Sequence, residues 1–570
     1  MKCNIKKLSI ILLLLQSVFY LSCASSPVNF ENSPAWEDLD REPVPEPVEV
    51  IENQLWDIMD HTFFYEVGKA LDPIWTSRKI GNIIGVSGRK EADNANSLDE
   101  APNSSWFTNR HFYNRLSIEE LIRGPNSTDG PDTSNQMVII RGKFEGGTPG
   151  FTIRDSRGDV YIMKFDAADY IEMGSSAEVI TTKIYHAAGY NVPQNFVVYF
   201  DPNKLVVGEM AQIAGEDKIK RKMTMQDIME MLEGRISEKT GLIRAGASKY
   251  LQGKPIGPFE FHGRRQDDHN DRVEHEHRRE LRGMRIIASW LNDGDRRAAN
   301  TLDMYVTQES EGGFVRHYLL DFGSALGSNN LMPHPPKYGN EYIFDFRTLF
   351  KSILMLGFYE KPWAYVDSMQ YTTTGYFESE IFTPQTWVPT YPNPAFENMT
   401  LRDAYWGTKI VASFTDEDIS ALVSAGQLSN PNAEAYLVKT LIERRDKIVA
   451  YWFGKMNPVD RFEITMGLDA AEFRFVDLAV EAGVENVNES SYLVDVRRES
   501  EEDSQQSVIT YPLTIKLEQP SALSDKGSNY RLTLQTRRGE SAEWSKKVTL
   551  FVAYRKESKK YEIVAVKRES

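Results

Sequence analysis

Polar and apolar positions alternate along three short runs after residue 136, and then the period changes. Residues 138–140, 151–154 and 160–165 read as strands, separated by a loop at 143–150 and a turn at 155–159. Residues 175–188 carry apolar side chains at helical spacing. Ser175 or Ser176 stands where an N-cap is needed, and Gly189 ends the run. A fourth strand at 196–200 completes a β-β-β-α-β order. After a poorly patterned stretch, 204–280, which holds one clear helix at 224–236, the stripe Leu281, Met284, Ile287 and Leu291 predicts another helix. Apolar runs at 301–306 and 314–320 flank a glycine-containing polar turn and predict a hairpin. Helices are expected at 342–356, 415–425 and 432–452, the second opened by a capping box at Thr415 and Asp418. Between them, 359–398 is rich in Pro, Tyr, Thr and Trp and reads as a long excursion.

From about residue 458 the period becomes two. Seven strand candidates (461–466, 472–478, 492–497, 509–517, 530–536, 547–554 and 561–567) predict a small β-sandwich, with an acidic polar loop at 499–506. Nothing in it carries chemistry, and it reads as an adhesion, partner-binding or packing module. The fold class is α+β. The domains expected are 1–22 leader, 23–55 tether, 56–136 extension, 137–203 first lobe, 204–455 helical second lobe with insertions, and 456–570 β domain. A chain of 570 residues is too long for one core.

The leader has Lys2, Lys6 and Lys7 before an apolar run from Leu8 to Tyr20, the size of a signal-peptide core and too short to span a bilayer. A small residue, Ser22, precedes Cys23, which resembles a bacterial lipoprotein cleavage site, although Tyr20 replaces the usual leucine. The expectation is an exported chain held at a membrane of the cell envelope through a lipid on Cys23; an uncleaved N-terminal anchor is the other reading. Cys3 is the only other cysteine, so the mature chain has no disulfide. Residues 24–55 are rich in Pro and Glu and read as an unfolded tether. An aromatic-rich helix is expected at 55–70, and the cluster NSSWFTNR at 103–110 is read as a cap packing Trp106 and Phe107 under the next sheet.

The formal charge is −16, and −19 once the three leader lysines are removed. Bulk attraction to nucleic acid or anionic lipid is therefore excluded, while local basic patches stay open. His269, His275 and His277 lie among carboxylates, but His275 and His277 are two apart and diverge on a helix. A solvated, salt-bridged helix face is preferred to a metal site there. Arg264, Arg265, Arg278, Arg279 and Arg282 could instead line a cleft for an anionic substrate.

The candidate chemistry sits at the hairpin's open end. Folding the hairpin between Ser310 and Glu311 sets Asn300 opposite Asp321, with Asp295 on the loop that feeds the first strand. Two acids and an amide converging there make a hard-oxygen site suited to Mg²⁺ carrying phosphates. Asp293 competes with Asp295 for the role of base, and the spacing to Asn300 favours Asp295.

These residues resemble a family. Asp295-x4-Asn300 looks like the D-x4-N of a protein-kinase catalytic loop, and Asp321-Phe322-Gly323 like its DFG. The closer likeness is to the atypical kinase-like fold of the HipA toxin, the secretory-pathway kinases and the spore-coat CotH proteins. In that fold the histidine of H-R-D is often absent; here Gly294 precedes Asp295. The resemblance implies a bilobal kinase-like domain, with an antiparallel β N-lobe and a mainly helical C-lobe, from about Met137 to Trp452. It implies that Gly146, Gly147 and Gly150 cover phosphates and that Lys164 holds the α/β-phosphates of ATP or another nucleotide. It further implies that Glu178 pairs with Lys164, that Asn300 and Asp321 hold Mg²⁺, and that Asp295 accepts the acceptor's hydroxyl proton. Pro149 and the absence of a G-x-G-x-x-G and of an A-P-E depart from the family pattern. Three functions follow: a phosphoryl- or nucleotidyl-transferring lipoprotein acting on an unknown acceptor, a catalytically inactive kinase-like scaffold, and a structural envelope protein using its β domain.

Overall fold

The computed structural model describes residues 28–51, 89–142, 148–214, 220–307, 312–355, 360–365, 369–467, 470–499, 503–518, 529–540 and 542–570. The leader, Cys23, the helix expected at 55–70, and Gly146 and Gly147 lie outside them. No described helix is long and apolar enough to cross a membrane.

The first layer is a six-stranded sheet. Its meander is β1 (Met137–Gly142), β2 (Gly150–Arg154) and β3 (Val160–Lys164), paired antiparallel. Beyond β3 the order runs through β8 (Ile243–Lys249) to β4 (Asn195–Phe200), and β5 (Leu205–Val207) closes the far edge on β1. The sequence reading missed β8. Its residues IRAGASK alternate no polar face against an apolar one, because the strand is buried for most of its length between two neighbours. The boundary expected at 203 therefore falls inside this layer. Residues 208–242 leave the sheet between β5 and β8, carrying the β6–β7 hairpin (Gln212–Ala214, Lys220–Lys222) and helix α3 (Met225–Leu232), which Thr224 caps.

Helix α2 (Met173–Ala188) follows β3, as expected, but starts two residues early and is not capped by Ser175 or Ser176. Its N-terminal groups are satisfied from outside. The Asp166 carboxylate accepts the backbone N–H of Glu172 (2.9 Å) and of Ser175 (2.7 Å), and the Ser175 hydroxyl (2.6 Å). All of α2 except His186 is buried, and its Ile180 and Ile184 belong to the helical core rather than the sheet core. Helices α1 (Ile118–Arg123) and α8 (Asp416–Ser424) cover it on the side away from the sheet.

The helical layer is built on α4 (Arg279–Leu291), α7 (Leu401–Ala412) and α9 (Pro431–Phe453). The sequence reading missed α7, which lies at the end of the excursion. It crosses α4 at glycines: a Cβ on Gly283 would stand 2.4 Å from Trp406 Cε3, and one on Gly407 2.6 Å from the Gly283 carbonyl. Of the basic residues expected to line a cleft, Arg264 is exposed, whereas Arg278, Arg279 and Arg282 face neither solvent nor a substrate cleft. Arg278, Arg279 and Arg282 are buried against Asp271 and Glu280, Asp99 and Asp403, and Asp403 respectively, so they hold the helical layer together.

Residues 28–51 are not a free tether. They run as an extended strap over the body: Asp38 N–H donates to the Asn103 carbonyl (2.8 Å), Val44 N–H to Gly313 (2.7 Å) and Val50 N–H to Ile256 (3.0 Å). Buried Asp40 accepts from the Ser105 backbone and hydroxyl. Proline and glutamate kept the strap out of helices and sheets but did not stop it from packing. Under it, Trp106 stacks on His317 at 3.5 Å, and Phe107 is fully buried.

The C-terminal strands β14 (Val459–Met466), β15 (Ala470–Asp477), β16 (Ser490–Arg498), β17 (Gln505–Ile509), β18 (Thr514–Glu518), β19 (Tyr530–Arg538), β20 (Val548–Arg555) and β21 (Lys560–Arg568) form two sheets around one core, in the orders β14-β15-β18 and β17-β16-β19-β20-β21. Among the described residues there are eight strands where seven were expected. The run expected at 509–517 is two strands, β17 and β18, which pair in different sheets, and β17 takes in part of the acidic loop.

Candidate functional site

Strand β3 ends on Lys164, with Met163 in the sheet core and the lysine on the opposite side of the pleat. The Lys164 ammonium donates to Glu178 Oε2 at 3.2 Å and to Asp321 Oδ1 at 3.0 Å. Three elements distant in sequence therefore meet on one nitrogen: β3, the first half of α2, and the segment after the hairpin. Burial alone would lower the lysine's pKa; the carboxylates of Asp321 and Glu178 outweigh it and hold the group above its ordinary value, so it is cationic at any physiological pH. The other oxygen of Glu178 accepts from Asn195 Nδ2 (2.9 Å), which also donates to Thr182 Oγ1. β4 thus fixes the rotamer of the glutamate that faces Lys164.

The hairpin consists of β10 (Thr301–Thr307) and β11 (Gly313–Leu319), in register Thr301 to Leu319 and Thr307 to Gly313. Opposite numbers sum to 620, not 621, because an odd connection of five residues centres the turn on residue 310. Asn300 consequently faces Leu320, whose N–H donates to its carbonyl (2.8 Å), and Asp321 lies one residue beyond the ladder. Asp321 has φ +51°, a left-handed conformation that turns its carboxylate to Lys164. Gly323 packs closely against its neighbours: a Cβ there would stand 2.1 Å from Asn330 Oδ1, which would have to move, and 3.3 Å from Glu178 Oε2.

Asn300 is buried, and its Nδ2 donates to the Asp295 carbonyl (2.7 Å). That bond ties the start of the hairpin to the 295 loop, and the amide oxygen is the atom that could hold a metal. Hard oxygens on Asn300 and on the partly exposed Asp321 fit a Mg²⁺-type ion. Asp295 is a quarter exposed and pairs with Arg297 at 3.0 Å. Burial raises its carboxyl above the aspartate range; Arg297 and Arg296 oppose the shift, and Asp321 adds to it. Asp293, the competing base, is fully buried. It accepts from Arg296 and from Tyr185 Oη (3.0 Å) and faces no open space for a substrate.

Sequence reasoning passed over Arg296. Its guanidinium donates to Asp293, to the carbonyl of Leu320 (2.9 Å) and to that of Asp321 (2.6 Å), and it lies 4.8 Å over the Phe322 ring. It ties the loop to the Asp-Phe-Gly segment, the role for which a bidentate donor is suited. The pair Arg296-Arg297 directly after Asp295 was the available signal. Arg297, 5.2 Å over the Tyr391 ring, brings a second positive charge to Asp295. Gly150 is the first residue of β2, paired with Lys164, and its missing side chain is required by the Met163 carbonyl, 2.2 Å from where a Cβ would lie. A small cleft opens beside the lysine between Thr148, Glu178, Gly246 and Asn330.

Neither a family model nor a curated protein sequence matches the chain. Among solved structures it is similar to a Golgi casein kinase, at 11% identity over 74% of this chain and 97% of that chain, with a TM-score of 0.23. It is similar also to the Golgi casein kinase with Mn/ADP bound, at 11% identity over 68% of this chain and 97% of that one, with a TM-score of 0.21. Matches at these scores do not establish a shared fold.

Proposed function

We propose that this chain is an exported lipoprotein, anchored to the bacterial envelope through Cys23, whose kinase-like domain transfers a phosphoryl group from a nucleotide to an acceptor hydroxyl. The observation that carries the reading is the single ammonium of Lys164 held between Glu178 and Asp321 at 3.2 and 3.0 Å. A lysine joined to a helix carboxylate and to a metal-binding aspartate is what phosphate positioning requires. Asn300 and Asp321 would hold Mg²⁺, which would supply neutralisation of the phosphate charge. Lys164 would bind the α/β-phosphates of ATP, with Glu178 holding its ammonium toward them. Gly146, Gly147 and Gly150 would cover the phosphates. Asp295 would orient the acceptor hydroxyl and take its proton; a carboxyl raised by burial is the better base near neutral pH. Arg297 would hold positive charge beside the transferring group.

A second reading, a binding protein of the same fold without transfer, is favoured by one feature: Asp295 and Asp321 both carry cations of the chain itself, Arg297 and Lys164. One series of measurements decides. On the chain from Ala24 onward, Mg²⁺ and ATP at a hundred-fold excess over Kd are expected to raise the unfolding midpoint, reflecting roughly 2.7 kcal/mol of linkage. Asp321→Ala is expected to abolish the shift; no shift in the wild type, or an equal one in the variant, overturns the site. Transfer to a generic protein acceptor is expected to be lost in both Asp295→Ala and Lys164→Ala. Binding without transfer in the wild type establishes the second reading.

A further inference from the structure

The loop after the Asp-Phe-Gly segment brings one more side chain to the Lys164 cleft. Residues 328–333 form a small hairpin, β12 (Ser328–Asn329) paired antiparallel with β13 (Met332–Pro333). Asn330 is the first of its two turn residues, at φ +59°, where glycine and asparagine are favoured. Its backbone N–H donates to the Gly323 carbonyl at 3.3 Å and to Ser328 Oγ at 3.1 Å. The turn is therefore tied to the segment that carries Asp321.

The tip of this hairpin lies against two glycines. A Cβ on Gly174, in the first turn of α2, would stand 3.2 Å from the Asn330 carbonyl oxygen. One on Gly323 would stand 2.1 Å from Asn330 Oδ1 and 3.3 Å from Glu178 Oε2, the oxygen that accepts from Lys164. The half-buried Asn330 side chain thus stands beside the ion group of Lys164, Glu178 and Asp321, and it lines the same small cleft as Lys164 and Gly246.

Neighbouring polar groups of that cleft are already committed. Lys164 serves two carboxylates, Glu178 accepts from Lys164 and Asn195, and Asp166 and Ser175 hold the start of α2. The Asn330 amide differs: among the described residues it has no hydrogen-bond partner. Its chemistry suits an anion. A carboxylate here would add a third negative charge beside Glu178 and Asp321, and a cation would compete with Lys164 for both. An amide supplies donors without charge. With Oδ1 turned to Gly323, Nδ2 is the half left for an oxygen in the cleft.

We propose that Asn330 is a further phosphate ligand, whose Nδ2 donates to a non-bridging oxygen of the α/β-phosphates that Lys164 holds. The assignment rests on the phosphoryl-transfer reading and adds to it a residue outside the D-x4-N and DFG motifs. Because Asn330 is bonded to Gly323 and packed on α2, the contact forms only when both segments are in place.

The test uses the chain from Ala24 onward, with Mg²⁺–ADP titrated calorimetrically into the wild type, Asn330→Gly and Asn330→Asp. Glycine keeps the positive φ and removes the amide; aspartate keeps an oxygen and removes the donor. Asn330→Gly is expected to bind about tenfold more weakly, the loss of one hydrogen bond to a charged group, with an unchanged unfolding midpoint in the absence of nucleotide. Asn330→Asp is expected to bind more weakly still. Equal affinity of the wild type and Asn330→Gly overturns the proposal and leaves the phosphoryl-transfer reading standing. Wild-type affinity in Asn330→Asp also overturns it, since an oxygen alone would then suffice. So does a fall in the nucleotide-free midpoint of Asn330→Gly with an equal loss of affinity for adenosine, which would make Asn330 a strut for α2. No binding by the wild type overturns the phosphate site as a whole, and this contact with it.

Discussion

At the scale of single residues, buried charge decides more than apolar burial does. Arg296 is the centre of the site's support, because among the described residues Asp293 has no other cation in hydrogen-bond contact and the two carbonyls after the hairpin converge on the same guanidinium. Arg296→Ala leaves a buried carboxylate unpaired. We expect a loss of about 3–5 kcal/mol in urea unfolding, with Arg296→Lys recovering part of it because one ammonium cannot reach Asp293 and both carbonyls. Lys183 is the opposite case. It is buried, its ammonium donates to the Arg123 carbonyl at 2.7 Å, and burial pushes its pKa down to about 7. Between pH 7 and the ordinary lysine value the unfolded chain binds a proton that the folded chain does not. Stability from this group therefore rises with pH across that window and is lowest below it. Lys183→Met is expected to raise the unfolding midpoint at pH 7 and to lose that advantage as pH approaches 10. A midpoint difference independent of pH would refute the assignment.

At the scale of elements, what could be read in the sequence follows from how each element is satisfied. The β1–β2–β3 meander, α2 and the hairpin were legible because each shows its period and its turn locally. Lys164, Glu178 and Asp321, marked out by the kinase resemblance, meet on one nitrogen. β8 was not: a strand hydrogen-bonded on both sides and covered on both faces has no alternation to show. The hairpin register was off by one because the parity of a five-residue connection is not written in its composition. Helix α7 was hidden for a different reason. Its glycine, Gly407, reads as a helix breaker in isolation and becomes intelligible only against Gly283 of α4. Gly283→Ala tests that crossing. The added methyl meets the Trp406 ring and cannot be absorbed by a flexible chain end, so we expect about 1–3 kcal/mol of destabilisation in urea unfolding, against the few tenths gained from helix propensity.

At the scale of the whole molecule, the β-sandwich is joined to the helical layer by ions as well as by packing. Asp460 at the start of β14 (Val459–Met466) accepts from Arg568 at 2.8 Å and Tyr405 Oη at 2.8 Å, with Lys409 at 3.5 Å. Lys409 also binds Glu100, while neighbouring Asp99 is held down to about 2, the pull of Arg279 and Arg402 outweighing its burial. Val566 N–H donates to the Ser97 carbonyl at 2.8 Å, so residues 97–100 bridge both units. Such a junction makes the two parts one cooperative unit, unlike the polar, hinge-like contacts between independent domains. The chain offers a built-in probe, since Trp544 is the only tryptophan after residue 452 and fluorescence therefore reports mainly the body. Arg568→Ala removes from Asp460 the better placed of its two cations, and we expect roughly 3 kcal/mol of destabilisation. The decisive point is where the loss registers. If the junction couples the units, the fluorescence and far-ultraviolet dichroism midpoints move together in urea. A fluorescence midpoint that stays put while the dichroism splits into two transitions would mean that the sandwich folds by itself, and that its attachment contributes nothing to holding the Lys164 cleft together.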